Sequence, residues 1–160
     1  MKVAIASDFS GFQLKEQVRQ HLEKSGYDIM DVGQKDPQNQ MLYYEAATRL
    51  ARVLQNGECR KGIVICGTGA GVSLIANRYK GIYCVACESV YTAEKISLIN
   101  NANVLAMGEK VVSFTMGCEM ADAFLKSVWC QGFEEQRRIN NEKGFEMLAA
   151  IEKSGGVAGA

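Results

Sequence analysis

The chain has 160 residues but only one histidine, one proline and one tryptophan, and no net charge, with 18 basic residues against 18 acidic ones. Each shortage narrows what the protein can do. One histidine, His21, with acids scattered along the chain, does not supply the ligand spacing of a metal centre, so no metal is expected. Zero net charge gives no electrostatic reason to bind nucleic acid or an anionic membrane. No apolar run approaches the roughly 20 residues that a membrane-spanning helix needs. The start, Met1 to Ala6, is apolar only briefly before Asp8, too short for a secretory signal, so a cytoplasmic protein is expected. Among the cysteines at 59, 66, 84, 87, 118 and 130, only Cys84 and Cys87 form a CxxC pair. That pair sits in an apolar stretch with no second pair to complete a zinc site, so reduced, mostly buried thiols are expected. The lone proline, Pro37, falls in a polar loop, and neither an internal repeat nor a linker is visible. The expectation is one domain over residues 1–153, followed by a flexible tail, SGGVAGA, at 154–160.

What is present alternates. Short runs rich in Val and Ile at 2–7, 27–32, 62–66, 82–86 and 103–107 read as strands buried on both faces. Helical patterns lie between and after them, at 12–25, 42–55, 71–80, 89–100, 115–128 and 134–153. Leu14, Val18 and Leu22 recur every fourth residue, and Gly26-Tyr27 ends that first helix. Five β-α units in series imply an α/β fold. It should be a doubly wound, five-stranded parallel sheet of the Rossmann-like three-layer kind, with an extra C-terminal helix. Ligands of such sheets sit beyond the carboxyl ends of the strands. That rule points to three loops: 7–11, 66–71 and the segment around Asn100.

The strongest local signal is Ile65-Cys66-Gly67-Thr68-Gly69-Ala70-Gly71, a strand end, a glycine loop and a helix start. Glycines let the backbone approach a ligand and turn several N–H groups inward, and a helix N-terminus adds partial positive charge. The loop could hold a phosphate, a carboxylate or an enediolate; a tight packing turn would look the same. It matches neither GxGxxG nor the P-loop. Cys66 at the strand end faces a field that favours thiolate. A thiolate beside a set of N–H donors is what an aldose–ketose isomerase needs: one base to carry a proton between adjacent carbons, and donors for the enediolate oxygens. Taken alone, Cys66 could equally be an inert buried cysteine.

Three segments carry a family resemblance: Asp8-x-x-Gly11-Phe12-x-Leu14-Lys15, the run from Gly62 through Cys66 to Gly71, and the run from Asn100 to Gly108. Over residues 1 to about 153 the chain resembles ribose-5-phosphate isomerase B and the galactose-6-phosphate isomerase subunits. The resemblance implies an aldose–ketose isomerase acting on a small sugar phosphate without a cofactor. Cys66 would be the proton-carrying base, with Gly67, Gly69, Ala70 and Gly71 forming the anion hole. Thr68 and Asp8 would assist ring opening or hold sugar hydroxyls, and Tyr43 and Asn100 would line the sugar site. Lys110 stands where the family often has a phosphate-binding arginine. Arg137 and Arg138 fall in its C-terminal basic motif. A homodimer or dimer of dimers is implied, with Lys110, Arg137 and Arg138 as the candidates to reach across to a neighbouring site.

The departures concentrate in that site. The family's Asp-His becomes Asp8-Phe9, its His-Asn becomes Ile99-Asn100, its Arg-His becomes Glu134-Glu135, and its Tyr-Pro becomes Tyr43-Tyr44. Some members use a carboxylate where this chain has Val72, which leaves Cys66 as the base. Ring opening by imidazole is lost, because His21 lies inside the first helix and reads as a surface or packing residue. Two substrate readings are open: an open-chain sugar such as a tetrose phosphate, or a sugar without the usual phosphate, held in a pocket made apolar by Phe9, Tyr44 and Ile99. A sugar-binding protein that kept the fold and lost turnover is the rival. A flavodoxin-like or dinucleotide-binding module is disfavoured by the glycine register and by the weak acidic candidate, Asp31, after the second strand.

Overall fold

A computed structural model describes residues 1–155; of the expected tail, 156–160 lie outside the described residues. The strands are β1 (Lys2–Ser7), β2 (Asp28–Asp31), β3 (Lys61–Cys66), β4 (Cys84–Ala86) and β5 (Val104–Gly108). They form one sheet of order β2-β1-β3-β5-β4, and every pairing is parallel. The helices are α1 (Phe12–Lys24), α2 (Tyr43–Gln55), α3 (Ala70–Ala76), α4 (Val90–Leu98), α5 (Phe114–Lys126) and α6 (Glu135–Lys153). The doubly wound α/β sheet read from the sequence is therefore the observed fold. No helix of the described residues is long and apolar enough to cross a membrane.

Strand alternation divides the core into two unequal layers. Val3, Ile5, Ile63, Ile65, Leu105 and Met107 face Leu14, Val18 and Leu22 of α1, Ala93 and Ile96 of α4 and Met120 and Phe124 of α5. The other face is built of smaller residues: Ala4, Ala6, Val64, Cys66 and Ala106 meet Ala46, Ala47 and Leu50 of α2 and Val72 and Ala76 of α3. Small side chains let α2 and α3 lie close to the sheet on the side that carries Cys66.

Element ends obey local chemistry. Gly26, at φ +86°, ends α1 in the left-handed conformation that glycine adopts without strain. The third helix is shorter than its pattern, because the Asn77 side chain leaves the helix to clamp β4. Its amide donates to the Cys84 carbonyl and accepts from the Cys84 N–H, both at 2.8 Å. Helix α6 has no buried residue. Phe145 rests on Tyr83 and Trp129 at centroid distances of 5.0 and 5.4 Å, while Leu148 and Ile151 stay exposed. His21 reaches Asp122 of α5, Nε2 to Oδ1 at 3.2 Å, in a packing position as expected.

Lys61, at the start of β3, has no carboxylate partner among the described residues. Its Nζ donates to Ser97 Oγ, the Phe124 carbonyl and the Ser127 carbonyl at 2.7, 2.8 and 3.0 Å. Burial pushes its pKa down to about 8. The unfolded chain keeps that proton to about pH 10.5, so between the two values the unfolded state binds more protons and stability rises with pH. Urea unfolding should therefore show the midpoint of wild type gaining on that of Lys61→Met as pH climbs from 8 to 10. A constant difference across that window would show that Lys61 titrates normally.

Candidate active site

Because all strands are parallel, Ser7, Cys66 and Gly108 end together at one edge of the sheet, with Ser7 paired to Ile65 and Cys66 to Gly108. Three loops leave that edge side by side. In the first, Asp8 is buried and caps a short turn: its Oδ1 accepts from the Ser10 N–H at 2.9 Å, the Ser10 hydroxyl at 2.8 Å and the Gly11 N–H at 2.9 Å. This is the side-chain capping that aspartate supplies at a helix start. The Asp8 N–H donates to the Ile65 carbonyl, which fixes the turn beside Cys66. No hydrogen bond within the described residues uses Oδ2.

The second loop carries Cys66. The residue is 5% exposed and packs into the small-residue layer. Its Sγ nevertheless faces the loop, because it accepts the Gly69 N–H at 3.1 Å. The Ala70 N–H leans on Thr68 Oγ1 at 3.4 Å. The N–H groups of Thr68 and Gly71 have no partner among the described residues. Gly69 adopts φ +79°, and a Cβ there would stand 3.0 Å from the Met107 carbonyl carbon. Gly71 has to lack a side chain too, since a Cβ would come within 2.9 Å of the Tyr43 ring. Helix α3 is only seven residues long, so its contribution is local N–H groups rather than a long helix field.

The third loop is the one after β5, not the one before it. Lys110 donates its N–H to the Gly67 carbonyl at 3.0 Å, and its Cδ lies 3.9 Å from where a Gly67 Cβ would be. Its ammonium group is exposed and has no partner among the described residues. Glu109 donates its N–H to the Cys66 carbonyl at 2.9 Å, and its carboxylate caps α1 by accepting the Leu14 N–H at 2.8 Å.

The structure thus brings Asp8, Cys66, Thr68, Gly67, Gly69, Ala70, Gly71, Tyr43 and Lys110 to one edge. It does not bring the rest. Asn100 precedes β5, so it lies at the amino edge of the sheet, a strand length of about 15 Å from Cys66. The loop rule went astray there because the ligand edge is formed by segments that leave the carboxyl ends of strands, whereas the Asn100 segment enters one. Arg137 lies over the Phe133 ring at 3.8 Å, and Arg138 pairs with Glu142 at 2.6 Å. Both point into solvent from α6, which is anchored at the amino edge by Glu152 on Gly81 and Tyr83. Ser10, which donates to Asp8 Oδ1 at this edge, was not singled out; Asp8-x-Ser10-Gly11 has the spacing of a capping turn, which could have revealed it. A cavity of about 650 Å³ opens elsewhere, behind the β2–α2 loop, lined by residues such as Lys35, Arg49 and Arg52. It holds none of the glycine-loop residues. We place the site at the strand ends, where donors, thiol and cation converge.

A glycine loop, a strand-end cysteine and an exposed lysine at the carboxyl edge of a parallel sheet form an arrangement that can hold an anionic ligand beside a thiol. The family described as Ribose/Galactose Isomerase matches residues 3–141, and the chain belongs to it. It is 43% identical to 4-deoxy-4-sulfo-D-erythrose isomerase of Clostridium sp. (strain MSTE9), over 96% of this chain and 97% of that protein. It is 34% identical to ribose-5-phosphate isomerase B of Escherichia coli (strain K12), over 95% and 97%. The solved ribose-5-phosphate isomerase B of Clostridium thermocellum superposes with a TM-score of 0.87 at 34% identity, covering 96% of this chain and 99% of that one. The protein is an aldose–ketose isomerase of the sugar-phosphate isomerase type.

Substitutions can separate the capping role of Asp8 from the chemical role that the family resemblance implies for it. Asp8→Ala should lower stability by about 1–2 kcal/mol, as loss of a cap does. Asp8→Asn keeps an acceptor oxygen and should retain most of that stability while lowering turnover. Equal turnover in Asp8→Asn and wild type, measured alongside urea unfolding, would confine Asp8 to capping.

Proposed function

We propose that the substrate is a four-carbon aldose–ketose pair bearing a terminal sulfonate or phosphate, isomerised by proton transfer through Cys66. The observation that carries this reading is the asymmetry of the site. The thiol, the glycine loop and Lys110 are in place, while the position after Asp8 that holds histidine in the family is Phe9, 48% exposed beside the Asp8 turn. A four-carbon sugar substituted at C4 has no free hydroxyl placed to close a five- or six-membered ring. Such a substrate arrives as the open chain and needs no imidazole to open it. Two kinds of relative support the choice: the sulfo-erythrose isomerase already described, and D-erythrulose-4-phosphate isomerase 2 of Mycolicibacterium smegmatis, 38% identical over 79% of this chain.

In this mechanism the Cys66 thiolate takes the proton from C2 of the aldose and returns it to C1, and reverses the transfer for the ketose. The unpartnered N–H groups of Thr68 and Gly71 bond the enediolate oxygens as charge develops on them. Asp8 Oδ2 and Thr68 Oγ1 hold chain hydroxyls, Tyr43 covers the carbon chain beside Gly71, and Lys110 meets the terminal anion. The reaction moves two protons, one from C2 to C1 through Cys66 and one from O2 to O1, together with two electrons, all within the substrate, so no redox cofactor takes part.

The reading includes a homodimer. Asn100, Arg137 and Arg138 cannot reach the Cys66 of their own chain, and a second chain is the source from which these groups would enter the site. The exposed apolar residues around it, Phe9, Leu42, Tyr43 and Tyr44, are suited to being covered.

Purified protein should be assayed on 4-deoxy-4-sulfo-D-erythrulose, D-erythrulose 4-phosphate and ribose 5-phosphate. The expected kcat/KM is at least about 100-fold higher on one of the four-carbon sugars than on ribose 5-phosphate, a gap of nearly 3 kcal/mol in transition-state binding. Comparable values on ribose 5-phosphate would overturn the four-carbon assignment. Tight binding of all three without turnover would favour the sugar-binding rival.

A further inference from the structure

The segment that delivers Tyr43 and flanks Phe9 runs from the end of β2 to the start of α2, and it contains no regular structure. Its shape is set from beneath by two buried polar side chains, Lys15 and Gln34, at 0% and 1% exposure. Burying an ammonium and an amide is costly unless every donor and acceptor is matched. Here they are matched. The three N–H bonds of Lys15 go to Asp31 Oδ2 at 2.6 Å, Glu16 Oε1 at 2.9 Å and the Gln34 carbonyl. Asp31 in turn accepts the Gly33 N–H at 2.9 Å through its other oxygen.

Gln34 then links this cluster to the substrate side. Its N–H donates to the Ser7 carbonyl at 2.9 Å, immediately before Asp8. Its side-chain amide donates to the Asp36 carbonyl at 2.7 Å and accepts the Met41 N–H at 2.6 Å, closing the loop across seven residues. The Met41 carbonyl accepts the Phe9 N–H at 3.1 Å. Both backbone groups of Met41 are thereby held, one by a buried amide and the other by the Asp8 turn, two residues before Tyr43. Gly33 makes this possible: a Cβ there would stand 2.3 Å from the Ser7 nitrogen, so only glycine lets the loop lie against the end of β1.

We propose that Gln34, held by Lys15, is a positioning residue for the isomerisation: it sets Met41, and through it Tyr43 and Phe9, against the glycine loop. Gln34 touches no substrate. Cys66 ends β3 and the Thr68 and Gly71 N–H donors follow it; this network makes no hydrogen bond to that strand, so loosening the network should weaken substrate binding more than proton transfer. The inference rests on Tyr43 belonging to the substrate site, as proposed above.

The test is a double-mutant cycle on the full chain with D-erythrulose 4-phosphate as probe, joined to hydrogen exchange. Gln34→Leu should raise KM by at least about tenfold with kcat within about threefold of wild type. Tyr43→Ala should cost catalytic efficiency in the Gln34 background but less than about twofold in the Gln34→Leu background, because coupled sites are not additive. Amides over 36–44 should exchange at least about tenfold faster in Gln34→Leu, with β1 and β3 unchanged. If Gln34→Leu does not fold, Gln34→Met carries the same cycle, since it keeps the length of the side chain and removes both the acceptor for the Met41 N–H and the bond to Asp36. The same Tyr43→Ala cost in both backgrounds, or unchanged exchange over 36–44, overturns the proposal. Absence of turnover on any sugar would defeat the functional reading, and the exchange measurement would still decide whether Gln34 pins the segment.

Discussion

The site depends on two loops meeting backbone to backbone with nothing between them. A Cβ on Gly108 would come within 2.6 Å of the Thr68 carbonyl carbon, so glycine at the end of β5 is what lets the β3–α3 loop fold over that strand. The contact is then fastened by main-chain bonds from Glu109 to Cys66 and from Lys110 to Gly67. The sulfur, the N–H donors and the Lys110 backbone are therefore fastened to one another in one unit, while the Lys110 ammonium reaches out from it on its own side chain. Glu109 extends that unit by capping α1, which ties it to the Asp8 turn. Preorganisation of this kind is what lets donors act on developing charge without reorganising during the reaction.

The two layers of the core serve this arrangement unequally. Large aliphatic residues on the α1, α4 and α5 side supply most of the apolar burial. The alanine-rich layer on the other side brings α2 close enough for Tyr43 to lie against Gly71. Cys66 belongs to that thin layer, deep enough to be shielded from bulk water and shallow enough for its sulfur to meet the loop. Polar burial obeys the same logic. Lys15 and Gln34 lie beneath the long β2–α2 segment, which has no secondary structure to shape it, and matched hydrogen bonds take the place of a ladder there.

Much of this was legible in the sequence, because the signals were local. The Val- and Ile-rich runs marked all five strands, with β1 read to the residue, and the fourfold spacing of Leu14, Val18 and Leu22 placed α1. The glycine loop was visible in its spacing, although a tight packing turn would have the same pattern, and Cys66 beside it gave the chemical reading. Long-range pairings were not legible. Nothing near Asn100 in sequence says which edge of the sheet it occupies; strand direction decides that. The early end of α3 depends on Asn77 reaching Cys84, and the role of Gln34 depends on bonds to Ser7 and Met41. Arg137 and Arg138 show the same limit, since a helix that buries no residue carries no sequence signal for where it lies.

Whether Cys66 is the base can be read from hydrogen isotopes. Isomerisation of D-erythrulose 4-phosphate or 4-deoxy-4-sulfo-D-erythrulose in D2O, tracked by NMR, should place solvent deuterium on the carbon that receives the proton in the fraction of turnovers in which the Cys66 thiol exchanges with solvent before returning it. Cys66→Ala of unchanged thermal stability should show no incorporation above the uncatalysed background. Incorporation by Cys66→Ala at the wild-type rate would contradict the account, because another group would then be moving the proton.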